Sequence, residues 1–169
     1  MLLKQKQGSA KIFLYFHANA EDLGRAHKFL SYVHNYLKMH VIAVEYPGYG
    51  VYQSENEGPS ADKIVSDAEH VYRFVKETLH WQESDIVICG RSIGSGPACY
   101  LASRNKPAAL VLVSPHTSIR GVVKDQFMGS ITQYMIAERF RNVEAVAKVT
   151  CPTFILHGMR DTLVRHTHS

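Results

Sequence analysis

The sequence predicts an α/β fold in which a doubly wound, mostly parallel sheet carries helices on both of its faces. Five short apolar runs, with helical segments between them, support this prediction. Each run is continuous rather than alternating, which is typical of strands buried on both faces of a parallel sheet. Because strand and helix alternate along the chain, right-handed βαβ units are expected. The five predicted strands are residues 12–16, 41–44, 86–89, 109–113 and 153–156.

Apolar residues at helical spacing predict the helices that connect these strands. One apolar stripe covers residues 23–37, a second covers residues 64–79, and residues 95–103 form a third helical segment. Residues 118–148 contain no apolar run typical of a strand, and residues 131–141 within them have helical character. We therefore expect this stretch to be either a long crossover or a small cap above the sheet.

The composition is that of an ordinary globular protein. A length of 169 residues, with 46% hydrophobic and 20% charged residues, suits a single domain covering residues 1–169. The net charge of +4 comes from scattered basic residues, so no nucleic-acid partner is predicted. Three cysteines without CxxC spacing indicate neither a disulfide framework nor a thiolate zinc site. Since no apolar run suits a signal core or a membrane span, the expected location is cytoplasmic.

The chemistry of the chain is predicted by a GxSxG motif, Gly90-Arg91-Ser92-Ile93-Gly94, which directly follows the predicted strand 86–89. A strand, a GxSxG motif and a helix form a nucleophile elbow, whose sharp turn projects the serine hydroxyl above the sheet. Flanking glycines remove the Cβ atoms that would collide in such a turn. The Ile93 N–H, at the start of the helix, would then face a developing oxyanion. Ser92 is therefore the predicted nucleophile.

Other glycine-rich sites fit these residues less well. A phosphate-binding loop requires Gly-Lys followed by Ser or Thr, and the motif here has no such continuation. A dinucleotide fingerprint requires a third glycine, but Gly94-Ser95-Gly96 is followed by Pro97-Ala98-Cys99. No cofactor is therefore predicted.

A serine hydrolase also needs a second oxyanion donor and a triad acid. The loop after the strand 12–16 is the expected source of the donor, and the Asn19 backbone N–H is the candidate. His17 precedes the nucleophile, against the chain order Ser, Asp, His, so its predicted role is structural. Asp161 lies on the loop after the last predicted strand, where the triad acid belongs. The alternative for Asp161 is a helix-capping role.

Five ordered motifs carry a family resemblance. They are Phe16-His17-Ala18-Asn19-Ala20-Glu21-Asp22-Leu23-Gly24, Glu45-Tyr46-Pro47-Gly48-Tyr49-Gly50, Gly90-Arg91-Ser92-Ile93-Gly94-Ser95-Gly96-Pro97-Ala98, Ser114-Pro115-His116-Thr117-Ser118-Ile119-Arg120 and His157-Gly158-Met159-Arg160-Asp161. Together they resemble one branch of the α/β-hydrolase superfamily. That branch includes the alpha/beta hydrolase domain-containing seventeen group, serine hydrolases known as protein S-depalmitoylases.

The resemblance implies an α/β-hydrolase core in which Ser92 attacks an ester or thioester and forms an acyl-enzyme, with Asp161 as triad acid. The implied partners are acylated proteins or small acyl esters and thioesters, and any membrane contact is expected to be peripheral and through the substrate. Three departures from the family pattern stand out. His17-Ala18 replaces the usual His-Gly, His116 replaces the common phenylalanine after Ser-Pro, and the loop 51–59 is longer and more acidic.

The resemblance also implies a core that is truncated at both ends and begins at the third strand of the fold. The catalytic histidine of the family follows a helix that would start near His166, whereas this chain stops at Ser169. His166 and His168 are predicted to be surface residues. A metal cluster of these two with His157 and Asp161 is not favoured, because a flexible terminus is a poor scaffold. No metal site is predicted.

Three functional hypotheses remain open from the sequence. The first is an active serine hydrolase of acyl esters or thioesters, of which protein depalmitoylation is the implied example. The second is a catalytically incomplete α/β-hydrolase-like protein that binds or scaffolds. The third is a peptidase or small-ester hydrolase with the same triad. In each case residues 118–148 would shape the substrate pocket.

Overall fold

Six strands form one sheet in a computed structural model that describes residues 1–6, 9–52, 60–121 and 140–169. The strands are β1 (Leu2–Leu3), β2 (Ile12–Phe16), β3 (His40–Val44), β4 (Ile86–Arg91), β5 (Ala109–Val113) and β6 (Thr153–Leu156). Their order across the sheet is β1-β3-β2-β4-β5-β6, and every pair is parallel except β1 with β3. The mostly parallel sheet is confirmed, and all five predicted strands are present.

The α-helices whose bounds lie within the described residues are α1 (Leu23–Tyr36), α2 (Ala61–Arg73), α3 (Ser95–Arg104) and α4 (Asn142–Val146). Side chains cap the first two, because Asp22 accepts from the Arg25 N–H and Ser60 accepts from the Lys63 N–H. The second apolar stripe continues past α2 into a π-helical turn, Phe74–Thr78. Within the described ranges, no helix combines the length and apolar character that crossing a membrane requires.

Strand β2 separates two apolar layers, because alternate residues of a strand point to opposite faces of the sheet. Ile12, Leu14 and Phe16 pack in the layer that contains residues of α2 and α3. Phe13 and Tyr15 pack in the other layer, against buried residues of α1. Helices therefore cover both faces, as a doubly wound sheet requires, and all residues of β2 are buried.

The prediction that every strand is buried on both faces is wrong for β6. All of its residues are exposed, including Phe154 at 62% and Leu156 at 55%. The physical reason is position: β6 is an edge strand, and within the part of the chain that the structure describes it pairs with β5 alone. An apolar run indicates a strand, but it does not encode where in the sheet that strand lies.

Strand β1 was not predicted, since two residues are too few for a periodic pattern. Leu2 pairs with Ile42 and Leu3 pairs with Val41, both antiparallel. A strand therefore precedes the run 12–16, with which the sheet was expected to begin. The predicted helical stretch 131–141 lies outside the described residues except at its last two positions, and the loop 51–59 lies outside them except at its first two.

Burial in the two strands gives a matched test of the core. Leu14 is fully buried in β2, whereas Leu156 is 55% exposed in β6. Leu14→Ala is expected to lower the free energy of unfolding by about 2–5 kcal/mol, because the cavity forms in a packed layer. Leu156→Ala, the same change in an exposed strand, is expected to lower the free energy of unfolding by less than half as much. Urea unfolding measures both, and equal losses would contradict this assignment of burial.

Candidate active site

Ser92 lies at the turn between β4 and α3, as the first residue of a 3₁₀ turn, Ser92–Gly94. Its φ is +51°, in the left-handed region that costs a non-glycine residue about 1–3 kcal/mol. A strained serine between a strand and a helix is the geometry of a nucleophile elbow. The turn therefore has the shape that the predicted role requires, while the role of Ser92 itself stays a prediction.

Glycines flank Ser92 because the turn packs directly onto neighbouring backbone. A Cβ atom on Gly94 would lie 2.2 Å from the Phe16 carbonyl oxygen, at the end of β2. A Cβ atom on Gly90 would lie 2.3 Å from the Gly94 carbonyl oxygen and 2.7 Å from the Ala98 Cβ. Backbone atoms and a Cβ atom cannot move aside as the end of a flexible side chain can. Both glycines of the motif are therefore required by contact, as the sequence predicted.

The two predicted oxyanion donors lie on loops that leave neighbouring strands. Asn19 follows β2, Ile93 follows β4, and these strands pair side by side. Glu21 connects the two loops, since its carboxylate accepts from the Ala18 N–H at 3.0 Å and pairs with Arg91 at 3.1 Å. The loop after β2 is thus held beside the residue that precedes the predicted nucleophile. That the Asn19 and Ile93 amides bind an oxyanion stays a prediction.

His17 is enclosed by the protein and has no exposed surface. Its ring stacks on Tyr46 at a centroid distance of 4.0 Å, and its Nδ1 lies 2.9 Å from the Ala18 carbonyl oxygen. Its Nε2 lies 2.9 Å from Glu45 Oε1, although the two are not aligned as a hydrogen bond, so we treat this contact as an electrostatic one. A general base must reach the substrate, so this burial agrees with a structural role for His17.

Asp161 lies on the loop after β6, at the same edge of the sheet as Ser92. Its Oδ1 accepts from the Leu163 N–H at 3.0 Å and from the Val164 N–H at 2.9 Å. The Val164 N–H, aided by the Leu163 N–H and the Ser114 side chain, holds the pKa of Asp161 below its usual value against the effect of partial burial. The lowered pKa favours the ionised carboxylate, which accepts bonds from the backbone of its own loop. No helix begins at Asp161, so these bonds are not the helix cap of the alternative interpretation. Its triad role stays a prediction.

No histidine nitrogen hydrogen-bonds to the Ser92 hydroxyl among the described residues. His157 instead places Nε2 at 2.7 Å from the Val164 carbonyl oxygen. His166 is exposed as predicted, but His168 is half-buried, and its Nδ1 lies 2.8 Å from the Thr117 hydroxyl. The surface prediction for His168 is therefore wrong, because the chain end folds back onto the loop after β5. The described ranges hold no group of three or more His, Cys, Asp and Glu side chains placed to bind a metal ion.

Comparison with known proteins places this geometry in a family. Residues 7–141 match the family described as Serine aminopeptidase, S33. The chain belongs to this α/β-hydrolase family. It is 34% identical over 155 residues to the alpha/beta hydrolase domain-containing protein aho-3 of Caenorhabditis elegans, covering 92% of this chain and 45% of that protein. It is 27% identical over 168 residues to the human alpha/beta hydrolase domain-containing protein 17B, covering 99% of this chain and 56% of that protein.

The resemblance to the alpha/beta hydrolase domain-containing seventeen group is thus confirmed, and the chain spans about half the length of the curated relatives it matches. Solved structures show the same fold. An alpha-beta serine hydrolase homologue from Coxiella burnetii matches with a TM-score of 0.73 at 18% identity, covering 99% of this chain and 71% of that one. The mouse alpha/beta hydrolase domain-containing protein 10 matches with a TM-score of 0.67 at 18% identity, covering 98% of this chain and 74% of that one.

A buried serine–histidine pair lies next to the elbow. The Ser95 hydroxyl lies 3.1 Å from His116 Nδ1 and 2.8 Å from the Asn142 side-chain amide. Ser95 has no exposed surface, so its hydroxyl cannot reach a substrate and is not a candidate nucleophile. The sequence marked His116 only as a departure from the family pattern, and no motif pointed to Asn142.

Burial dominates the ionisation of His116. It lowers the pKa of the imidazole from the usual 6.5 to about 4, while the hydrogen bond to the Ser92 carbonyl acts in the opposite direction. The ring of His116 is therefore neutral at physiological pH.

The lowered pKa of His116 predicts a loss of stability in acid. As the pH falls below 6.5, the unfolded chain protonates this imidazole, but the folded protein does not until about pH 4. The free energy of unfolding should fall across this window, by up to about 1.4 kcal/mol per pH unit from this residue. His116→Phe removes the contribution, so the stability of the wild type relative to the variant should fall as the pH falls from 6.5 to 4. Urea unfolding of both proteins at a series of pH values measures this change. A difference in unfolding free energy that stays constant with pH would refute the lowered pKa of His116.

The contact between the elbow and β2 predicts that Gly94 tolerates no side chain. Gly94→Ala places a Cβ at 2.2 Å from the Phe16 carbonyl oxygen and is expected to cost about 1–3 kcal/mol or more of unfolding free energy. Gly158→Ala is the matched control, because its Cβ would have no neighbour closer than 4.0 Å, and its effect is expected to stay within about 0.5 kcal/mol. Chemical unfolding of both variants tests this, and an equally stable Gly94→Ala variant would disprove the close approach.

Proposed function

We propose that this chain is the core of a serine hydrolase that cleaves acyl esters or thioesters through an acyl-enzyme. The observation that carries the proposal is the left-handed Ser92 at a strand-to-helix turn flanked by two sterically required glycines. Such strain persists only where the surrounding structure enforces it, and it clusters at functional sites. Membership of an α/β-hydrolase family gives the turn its chemical interpretation.

In this proposal the Ser92 oxygen attacks the acyl carbonyl carbon, and the proton of the hydroxyl passes to a histidine that Asp161 orients. The carbonyl oxygen becomes an oxyanion that accepts hydrogen bonds from the Asn19 and Ile93 amides. The bond to the leaving alcohol or thiol then breaks, and the leaving group takes up the proton. Water then gives a proton to the same histidine and attacks the acyl carbon, the bond to the Ser92 oxygen breaks, and this oxygen takes the proton back as the carboxylic acid leaves.

Protein depalmitoylation is the specific reaction we propose, because the chain resembles the seventeen group of α/β hydrolases over nearly its whole length. The substrate would then be an acylated protein, met at a membrane surface through its acyl chain. Peptidase activity is the second candidate, and the description of the matched family, a serine aminopeptidase, favours it.

A fluorophosphonate probe tests the nucleophile. In the protein expressed from its complete coding sequence, labelling is expected in the wild type and is expected to disappear in Ser92→Ala, because the probe reacts only with an activated serine. Ser84→Ala, which alters an exposed serine, is the matched control and should label as the wild type does. The measurement is the labelling rate by gel fluorescence, with unfolding curves to verify that each variant is folded.

The same preparation separates the candidate functions. Absence of labelling in folded wild-type protein would contradict the enzyme proposal and favour the binding or scaffold hypothesis. If labelling occurs, palmitoyl thioester, short acyl ester and peptide amide substrates are compared by kcat/KM. Faster turnover of the amide would favour the peptidase candidate.

A further inference from the structure

A buried polar network joins the predicted nucleophile to two distant parts of the chain. The Ser92 carbonyl oxygen lies 2.6 Å from the Ser95 hydroxyl and 3.2 Å from His116 Nδ1. The Asn142 side-chain amide donates to Ser95 Oγ and to the His116 carbonyl oxygen, both at 2.8 Å. Ser95, His116 and Asn142 are each at least 95% buried, with exposures of 0%, 4% and 5%. Water therefore does not compete for these bonds.

The protons of the network can be assigned by counting donors and acceptors. A backbone carbonyl only accepts, so the Asn142 nitrogen faces the His116 carbonyl and gives its second proton to Ser95 Oγ. Ser95 Oγ is thereby an acceptor from Asn142, and its own proton goes to the Ser92 carbonyl along the shortest contact. His116 Nδ1 faces two oxygens that already act as acceptors, so it must carry a proton. In the neutral ring, Nε2 then carries no proton and has a lone pair that can only accept a hydrogen bond.

That lone pair has no partner among the described residues, although the atom is buried. Burying an unpaired ring nitrogen costs free energy, and an apolar ring of similar shape would avoid the cost. A histidine here is consequently not explained by packing alone. The bond that its Nδ1–H makes with the Ser92 carbonyl is the contribution that an apolar ring cannot supply.

We propose that His116 is a positioning residue for the nucleophile, whose Nδ1–H acts with the Ser95 hydroxyl to hold the Ser92 carbonyl and so keep Ser92 in its left-handed conformation. Fixing this carbonyl fixes the ψ of Ser92 and hence the direction in which the strained turn points its hydroxyl. The catalytic part of this inference rests on the proposed function, whereas the hydrogen bond itself does not.

Three substitutions at residue 116 separate the hydrogen bond from packing. His116→Phe keeps a ring and removes the donor. His116→Asn loses the ring but places an amide nitrogen near the Nδ1 position. His116→Gln, its matched control, is equally polar but reaches toward the Nε2 position. A purely structural role predicts that function follows stability, with the ring-keeping Phe variant least affected.

A positioning role predicts a different order of labelling rates by the fluorophosphonate probe, in the protein from its complete coding sequence. The Phe and Gln variants are expected to label about tenfold more slowly than the wild type, the effect of one lost buried hydrogen bond. The Asn variant is expected to stay within about threefold, even if urea unfolding finds it less stable than the Phe variant. Labelling rates that follow the order of stability would overturn the proposal.

NMR provides readouts that need no enzyme activity. A long-range ¹H–¹⁵N spectrum of ¹⁵N-histidine-labelled protein is expected to place the His116 proton on Nδ1, and a proton on Nε2 would overturn the proposal. The Ser92 carbonyl ¹³C resonance should shift in the Phe and Gln variants and remain near the wild-type position in the Asn variant. If the wild type does not react with the probe, the proposed function fails, and this resonance decides the positioning inference: an unshifted carbonyl in His116→Phe refutes it.

Discussion

The contact between the turn after β4 and the end of β2 is the constraint on which the site depends. The Phe16 carbonyl oxygen occupies the space where a Cβ of Gly94 would lie, so the chain cannot relax into an ordinary helix start. Ser92 absorbs the sharp change of direction and takes a positive φ. Because β2 lies in the centre of the sheet and is buried along its whole length, its carbonyls are a fixed surface against which this strain is held.

The elbow could be predicted from sequence because every requirement for it is local. A buried strand, two glycines and a helix follow each other within a short stretch, and steric contact dictates the glycines. Continuous apolar runs likewise predicted the strands, but the exposure of β6 depends on its place at the edge, which pairing across the sheet decides. His116 and Asn142 lie 26 residues apart and contact the elbow only through the fold, so no local pattern could join them.

Polar side chains are concentrated where the parallel strands end, and tight turns explain how they are accommodated there. Ser92 and Ser114 directly follow β4 and β5, and both have positive φ values, of +51° and +45°. Such turns reverse the chain in few residues and leave carbonyls and amides facing the sheet edge. Buried side chains then satisfy these groups: Tyr46 donates to the His17 carbonyl, and the Ser95 hydroxyl donates to the Ser92 carbonyl. The edge of the sheet at which the parallel strands end is therefore both polar and rigid.

Asn142 connects this rigid edge to α4. It is the first residue of α4, and both protons of its amide are used, one on Ser95 and one on the His116 carbonyl. A displacement of α4 would break both bonds at once and leave Ser95 Oγ with one donor fewer. Asn142 thus links α4 by hydrogen bonds to the two residues whose side chains contact the Ser92 carbonyl.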